Sequence, residues 1–213
     1  MKIKVCGLKM PENIEAVAAL NPDYMGFIFY ENSPRYIETA SREMLKAIPA
    51  PIQKTAVFVN KSAGEISGLI DSLNLDAIQL HGNESPDFVG SFRDKVKVIK
   101  AFGVDEAFDF DKLNGYSGKV DYFLFDTKTE KHGGSGKPFD WSVLNQYQLD
   151  VPFFLSGGIS PENLEEVMAL NHPQLYGVDL NSKFEDTPGV KNIEYLKKAF
   201  ETVKKTYNNE IRG

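Results

Sequence analysis

Eight short apolar runs, each the length of a buried strand and each followed by a segment with helical spacing, constrain this chain more than any single motif does. The runs are Ile3 to Cys6, Tyr24 to Phe29, Thr55 to Val59, Ala77 to Leu80, Val96 to Phe102, Tyr122 to Phe125, Phe153 to Leu155 and Tyr176 to Asp179. Between them apolar residues recur three or four positions apart, as at Ile66, Leu69, Ile70 and Leu73, or at Leu164, Val167 and Met168. Such alternation calls for parallel strands joined by helical crossovers. Eight units in 213 residues, roughly 27 residues each, match the spacing of a closed (β/α)8 barrel, the TIM-barrel arrangement. An open doubly wound α/β sheet is the competitor, but it needs fewer strands, and the first turn, CGLKMPEN, lacks the glycine pattern of a dinucleotide-binding turn. No linker, low-complexity tract or charge block divides the chain, so the expectation is one barrel domain over 1–213, with a tail, NNEIRG, that frays.

Composition narrows the class of function. A hydrophobic share of 42% supplies a sizeable core, which sets disorder aside. The net charge of −6 argues against a protein whose task is to neutralise nucleic-acid phosphates, so an anionic ligand has to be held by local groups. One cysteine cannot form an internal disulfide, and no apolar run approaches the roughly 18 residues of a membrane span. With no visible signal peptide, the expectation is a cytoplasmic protein that acts on a small molecule, without nucleic acid or membrane as partner, as a monomer or homodimer.

In a barrel of this kind the site lies at the C-terminal ends of the strands. The polar residues there are Cys6 after strand 1, Gln79 and His81 after strand 4, Asp126 after strand 6, Ser156, Gly157 and Gly158 after strand 7, and Asp179, Asn181 and Ser182 after strand 8. Arg35 lies in the loop after strand 2. Cys6 is open to two readings: a small buried hydrophobe, or a reactive thiol whose thiolate is favoured by Lys4, which shares its strand parity. Lys4 is equally open to a structural pairing with an inward acid. Asp126 either caps a loop or, after four apolar residues, is a buried proton donor or acceptor.

LSGGIS at Leu155 to Ser160 is the sharper phosphate signal. Two glycines at a strand end, followed by a Ser160–Pro161 helix start, present backbone amides to an anion. Together with Asn181 and Ser182 it forms the phosphate site expected of the loops after strands 7 and 8. Gly133, Gly134, Ser135 and Gly136 form a loop suited to folding over a bound ligand. Asp140 is a plausible cap before Trp141. Arg35 has the fork geometry for a carboxylate, although exposed loop arginines usually have no such role. His81 reads more readily as a hydrogen-bonded scaffold residue than as a base, and the scattered histidines predict no metal and no cofactor.

Taken in order, KVCGLK, GFIFYENSPRYI, VFVN, IQLHG, DTKTEKHGGSGKPFDW, LSGGISPENL and GVDLNS resemble the phosphoribosylanthranilate isomerases of tryptophan biosynthesis. The resemblance implies a cofactor-free (β/α)8 barrel that performs an Amadori rearrangement of N-(5′-phosphoribosyl)anthranilate. It implies Cys6 as general base, Asp126 as general acid, Arg35 as the partner of the anthranilate carboxylate, and Gly157, Gly158, Asn181 and Ser182, with part of the Gly133 to Gly136 loop, as the phosphate site. Two positions depart from the family pattern: Lys183 stands where glycine is common, and Lys9 replaces a small hydroxyl residue. Ordinary pKa values, about 3.9 for aspartate and 8.5 for cysteine, are the wrong way round for these roles. The expectation is therefore that burial raises Asp126 while Lys4 lowers Cys6. The rival readings are another phosphosugar barrel, such as a sugar-phosphate epimerase or the histidine-pathway isomerase, a silent phosphometabolite sensor, and a redox-sensing thiol. None of these accounts for Cys6 and Asp126 together.

Overall fold

A computed structural model describes residues 1–128 and 139–210, without the side chains of 39–40 and 206–210. Gly133, Gly134, Ser135 and Gly136 lie outside the described residues. Eight parallel strands close into a barrel in sequence order: β1 Lys2–Cys6, β2 Tyr24–Ile28, β3 Gln53–Phe58, β4 Ala77–Leu80, β5 Lys97–Val104, β6 Tyr122–Thr127, β7 Phe153–Leu155 and β8 Leu175–Leu180. The expected architecture is borne out. The crossovers carry α1 Pro11–Ala18, α2 Thr39–Arg42 with the 3-10 helix Glu43–Ala47, α3 Ala63–Leu73, α4 Pro86–Gly90 and α5 Leu164–Met168, and α6 Ile193–Glu210 follows the last strand. No helix among the described residues is long and apolar enough to cross a membrane.

Two crossovers differ from the helices expected. Between β5 and β6, and between β6 and β7, the chain forms the 3-10 helices Phe110–Tyr116 and Trp141–Gln146. Each is opened by an aspartate that accepts from the amide two residues on, Asp109 from Asp111 at 3.1 Å and Asp140 from Ser142 at 2.9 Å. The Ser160–Pro161 signal does not start a helix: α5 begins only at Leu164. The Asn163 side chain competes for the backbone there, donating to the Gly158 carbonyl at 2.9 Å and accepting from the Ser160 amide at 2.8 Å. That side chain fixes the shape of the glycine loop.

Strand parity divides the core in two. Residues pointing outward meet the helices in one continuous apolar layer. Residues pointing inward, Tyr24, Ile99, Ala101, Leu124 and Phe154, form a separate cluster against which Tyr122 and Tyr176 pack. The Tyr24 and Phe154 rings meet edge to face at 5.2 Å, and the Tyr122 and Tyr176 centroids lie 4.5 Å apart. These rings fill the lower barrel, and truncating one such as Phe154 to alanine would cost about 3–5 kcal/mol. The polar site residues sit above this aromatic floor.

Two further details place the site. Phe153 pairs with Leu175 but Phe154 pairs with Gly177, so β8 carries one extra residue low in the barrel. This irregularity brings Tyr176 into the interior cluster and Asp179 into the cavity above it, although their spacing of three would otherwise put them on opposite faces. After β8 the hairpin β9 Glu185–Thr187 and β10 Val190–Lys191 turns at Gly189, whose φ of +89° suits glycine. Asn13 of α1 anchors it, donating to the Lys191 carbonyl at 2.9 Å and accepting from the Lys191 amide at 2.7 Å.

Candidate active site

Two adjoining cavities open at the C-terminal ends of the strands and share Arg35, Asp126, Ser156, Asp179 and Asn181 in their walls. The first also meets Cys6, Gln79 and His81; the second also meets Gly157, Gly158 and Ser182. Every sequence-predicted site residue among the described ones is thus brought to one place.

At the centre, Lys4 and Asp179 are register partners on β1 and β8. The Lys4 Nζ donates to Asp179 Oδ2 at 3.0 Å, with side-chain exposures of 0% and 4%. A buried pair of this kind holds its partners because separating them would strand a charge without water. Of the two alternatives for Lys4, the pairing with an inward acid is the one found. Cys6 is buried next to it. Its room comes from β2, where Gly26 is its register partner: a Cβ at Gly26 would lie 2.6 Å from Sγ.

The thiol does not follow expectation. Burial pushes the Cys6 pKa up, and the nearby charges of Lys4 and Lys191 do not offset it. Lys4 cannot serve the thiolate fully because its ammonium is already committed to Asp179. Asp126 does follow expectation: burial, opposed by the amide of Thr127 and reinforced by Asp179, pushes its carboxyl up to about 6. The Thr127 amide donates to Asp126 Oδ1 at 2.8 Å, so the carboxylate also fulfils the loop-capping reading. Gly157, with φ +81°, makes the close approach possible, since a Cβ there would lie 2.4 Å from the Thr127 nitrogen and 2.7 Å from Asp126 Oδ1.

His81 Nε2 stands 3.7 Å from Asp126 Oδ2, and Gln79 Nε2 lies 3.1 Å from His81 Nδ1. An amide donor on Nδ1 selects the tautomer that keeps its proton on Nε2, toward Asp126. Two buried acceptors have no partner among the described residues, Gln79 Oε1 and Asp179 Oδ1, and both residues line the cavity. On the β7 and β8 side, no acceptor among the described residues is bonded to the amides of Gly157, Gly158 or Ser182. On the opposite side Ile28, Tyr30, Val57 and Val59 give the first cavity an apolar wall. No group of three or more His, Cys, Asp or Glu among the described residues is placed to hold a metal ion.

Residues 3–202 match the family model described as N-(5′-phosphoribosyl)anthranilate (PRA) isomerase. A curated N-(5′-phosphoribosyl)anthranilate isomerase from Parabacteroides distasonis is 45% identical over 206 residues, covering 95% of this chain and 93% of the relative. The crystal structure of the phosphoribosyl anthranilate isomerase from Thermus thermophilus superposes with a TM-score of 0.85 at 30% identity, over 96% of this chain and 99% of that one. Another solved PRA isomerase, in complex with reduced 1-(o-carboxyphenylamino)-1-deoxyribulose 5-phosphate, gives a TM-score of 0.81 at 28% identity over 96% and 98% of the two chains. This chain belongs to the PRA isomerase family. The isomerase assignment implied by the motifs is borne out.

Within this chain the two departures from the family pattern have structural answers. Lys183 sits in the 3-10 helix Ser182–Phe184 without a positive φ, so the turn after β8 needs no glycine at that position. The Lys9 stem lies over the hairpin turn, where a Cβ at Gly189 would meet its Cδ at 2.8 Å. Arg35 is found where expected but already engaged: Nε donates to Glu185 Oε1 at 2.9 Å and Oε2 at 3.0 Å, and Nη2 donates to Oε2 at 2.7 Å. Glu185, Lys191 and the apolar wall were not anticipated. The wall had a signal in the sequence, since Ile28 and Val57 continue the inward parity of Gly26 and Thr55.

Proposed function

We propose that this chain converts N-(5′-phosphoribosyl)anthranilate to 1-(2-carboxyphenylamino)-1-deoxyribulose 5-phosphate, with Asp126 as general acid and Cys6 as general base. The observation that carries the reading is the division of the two adjoining cavities into three chemistries. An apolar wall beside an arginine fork suits an aromatic ring bearing a carboxylate. Two buried acceptors without a partner among the described residues, Gln79 Oε1 and Asp179 Oδ1, suit pentose hydroxyls. The amides of Gly157, Gly158 and Ser182, bonded to no acceptor among the described residues, suit a phosphate.

The chemistry follows from that placement. Asp126 gives its proton to the furanose ring oxygen, the C1′–O4′ bond breaks, and the aromatic nitrogen forms a C1′=N iminium. Cys6 removes the C2′ proton, and its electrons form the C1′=C2′ bond while nitrogen recovers its lone pair. The resulting enolamine takes a proton at C1′, gives up its C2′ hydroxyl proton and becomes the ketone. One acid and one base on different strands suffice. With the thiol raised above Asp126, the productive form is the minority species with a protonated carboxyl and a thiolate. His81 steadies the carboxyl from its Nε2 side.

Loss of anthranilate fluorescence from freshly prepared substrate, coupled to the enzyme that consumes the product, tests the assignment. Turnover that depends on the purified chain supports it. Stable fluorescence at micromolar enzyme with active coupling enzyme refutes it.

A further inference from the structure

Arg35 is held on one edge only. A guanidinium offers two bidentate edges, Nε with Nη2 and Nη1 with Nη2. Glu185 occupies the first edge through the bonds at 2.9, 3.0 and 2.7 Å, and no protein acceptor among the described residues is paired with Nη1. Glu185 is itself fixed: Oε1 accepts from the Lys191 Nζ at 2.7 Å and from the Gly189 amide at 3.1 Å. Lys191 also donates to Asn181 Oδ1 at 2.8 Å, and its side chain is 0% exposed. Glu185 and Lys191 face each other as register partners in the β9–β10 hairpin. Below the fork, Gly7 has a φ of +81°, and a Cβ there would lie 2.7 Å from Arg35 Cδ and 2.7 Å from Asn181 Oδ1. The arginine stem therefore lies in space that only a glycine at residue 7 leaves open.

Charge supplies the second half of the case. Arg35 with Glu185 alone sums to zero, and a neutral pair would not attract a second carboxylate. Lys191 restores one positive charge to the cluster, which a ligand carboxylate then neutralises. Burial opposes ionisation of Glu185, yet the bonds from Arg35 and the charge of Lys191 hold its carboxyl below the ordinary range.

We propose that Glu185 is a positioning residue that grips Arg35 by its Nε/Nη2 edge so that the Nη1/Nη2 edge meets the substrate carboxylate, with Lys191 supplying the balancing cation. The proposal rests on the reading of Arg35 as the partner of that carboxylate. It makes the hairpin after β8 a specificity element for carboxylated aromatic amines.

Glu185→Gln separates positioning from charge because the two predict opposite signs. The substitution adds one positive unit, which on charge alone tightens an anion, whereas loss of the bidentate grip loosens it. We expect the KM for N-(5′-phosphoribosyl)anthranilate to rise roughly tenfold with kcat within about threefold of the parent, a loss of uniform binding. The KM for N-(5′-phosphoribosyl)aniline, which lacks the carboxylate, should stay within about twofold. Lys191→Met should show the same ligand bias, and Glu185→Gln should add nothing in an Arg35→Met background. A lower KM for the carboxylated substrate in Glu185→Gln, an equal effect on both substrates, or additivity with Arg35→Met overturns the positioning role. Should Arg35→Met itself fail to discriminate the two substrates, the reading of Arg35 falls and the proposal falls with it. Should Arg35→Met discriminate while Glu185→Gln does not, only the proposal falls. Thermal unfolding of each variant identifies a misfolded protein, and Glu185→Asp, which keeps the charge but shortens the arm, then replaces Gln with the same expected bias.

Discussion

Cys6 and Gly26 are register partners on adjacent strands, and a Cβ at residue 26 would stand 2.6 Å from the Cys6 sulfur and 3.0 Å from its Cα. The space for the thiol is made by a missing side chain on β2. Gly26→Ala should therefore cost about 1–3 kcal/mol by overpacking. It should also lower kcat on the order of 10²-fold by moving the sulfur about 1 Å. Denaturant unfolding and steady-state kinetics check the pair, and parental values in both would show that the sulfur has room to spare.

Asp126 should cost the fold stability at neutral pH. Its pKa rises from the ordinary 3.8 to about 6, so the folded state favours the protonated form. The stability this contributes is complete below the unfolded pKa and is lost as pH rises through the folded one. A rise of that size corresponds to about 3 kcal/mol as an upper scale. Asp126→Asn keeps an acceptor for the Thr127 amide and should be more stable than the parent at pH 8, with the advantage vanishing toward about pH 4. An Asn variant less stable than the parent at pH 8 would contradict the raised pKa.

The same values set the pH–rate profile. With a carboxyl near 6 and a thiol above its ordinary value, kcat/KM should rise with pH up to about 6, run flat, and fall only above the thiol pKa. An acid limb near the ordinary carboxylate value, roughly 4, would show that Asp126 is not perturbed in the free enzyme.

Lys4 and Asp179 form a buried pair with side-chain exposures of 0% and 4%. Lys4→Met leaves the carboxylate alone and should cost about 3–5 kcal/mol, whereas Lys4→Met with Asp179→Asn should recover part of that loss. Urea unfolding of the two single variants and the double variant gives the coupling. Simple additivity would mean the pair is not coupled.

Much of the fold was legible because strand period and burial leave a direct imprint on apolar runs. The eight strands fall within two residues of the runs read for them, from Lys2–Cys6 to Leu175–Leu180. Site residues at strand ends were legible for the same reason, since topology carries Cys6, Gln79, Asp126 and Asp179 to one mouth. What failed was whatever depends on depth or on competition between neighbours. The Ser160–Pro161 start was lost to the Asn163 side chain, which bonds the backbone around it. Glu185 and Lys191 carry no such signal in NSKFEDTPGVKN, because the hairpin pairing that brings them together as a buried pair has no imprint on apolar spacing. The direction of the Cys6 shift depends on how completely the thiol is desolvated, and on Lys4 having a second client in Asp179.

The acid–base pair is tested most directly by kcat for freshly made N-(5′-phosphoribosyl)anthranilate with Cys6→Ser and Asp126→Asn, each compared with the parent. We expect each substitution to lower kcat by about 10²- to 10⁴-fold with little change in KM. Parental kcat in either variant would contradict the role assigned to that residue.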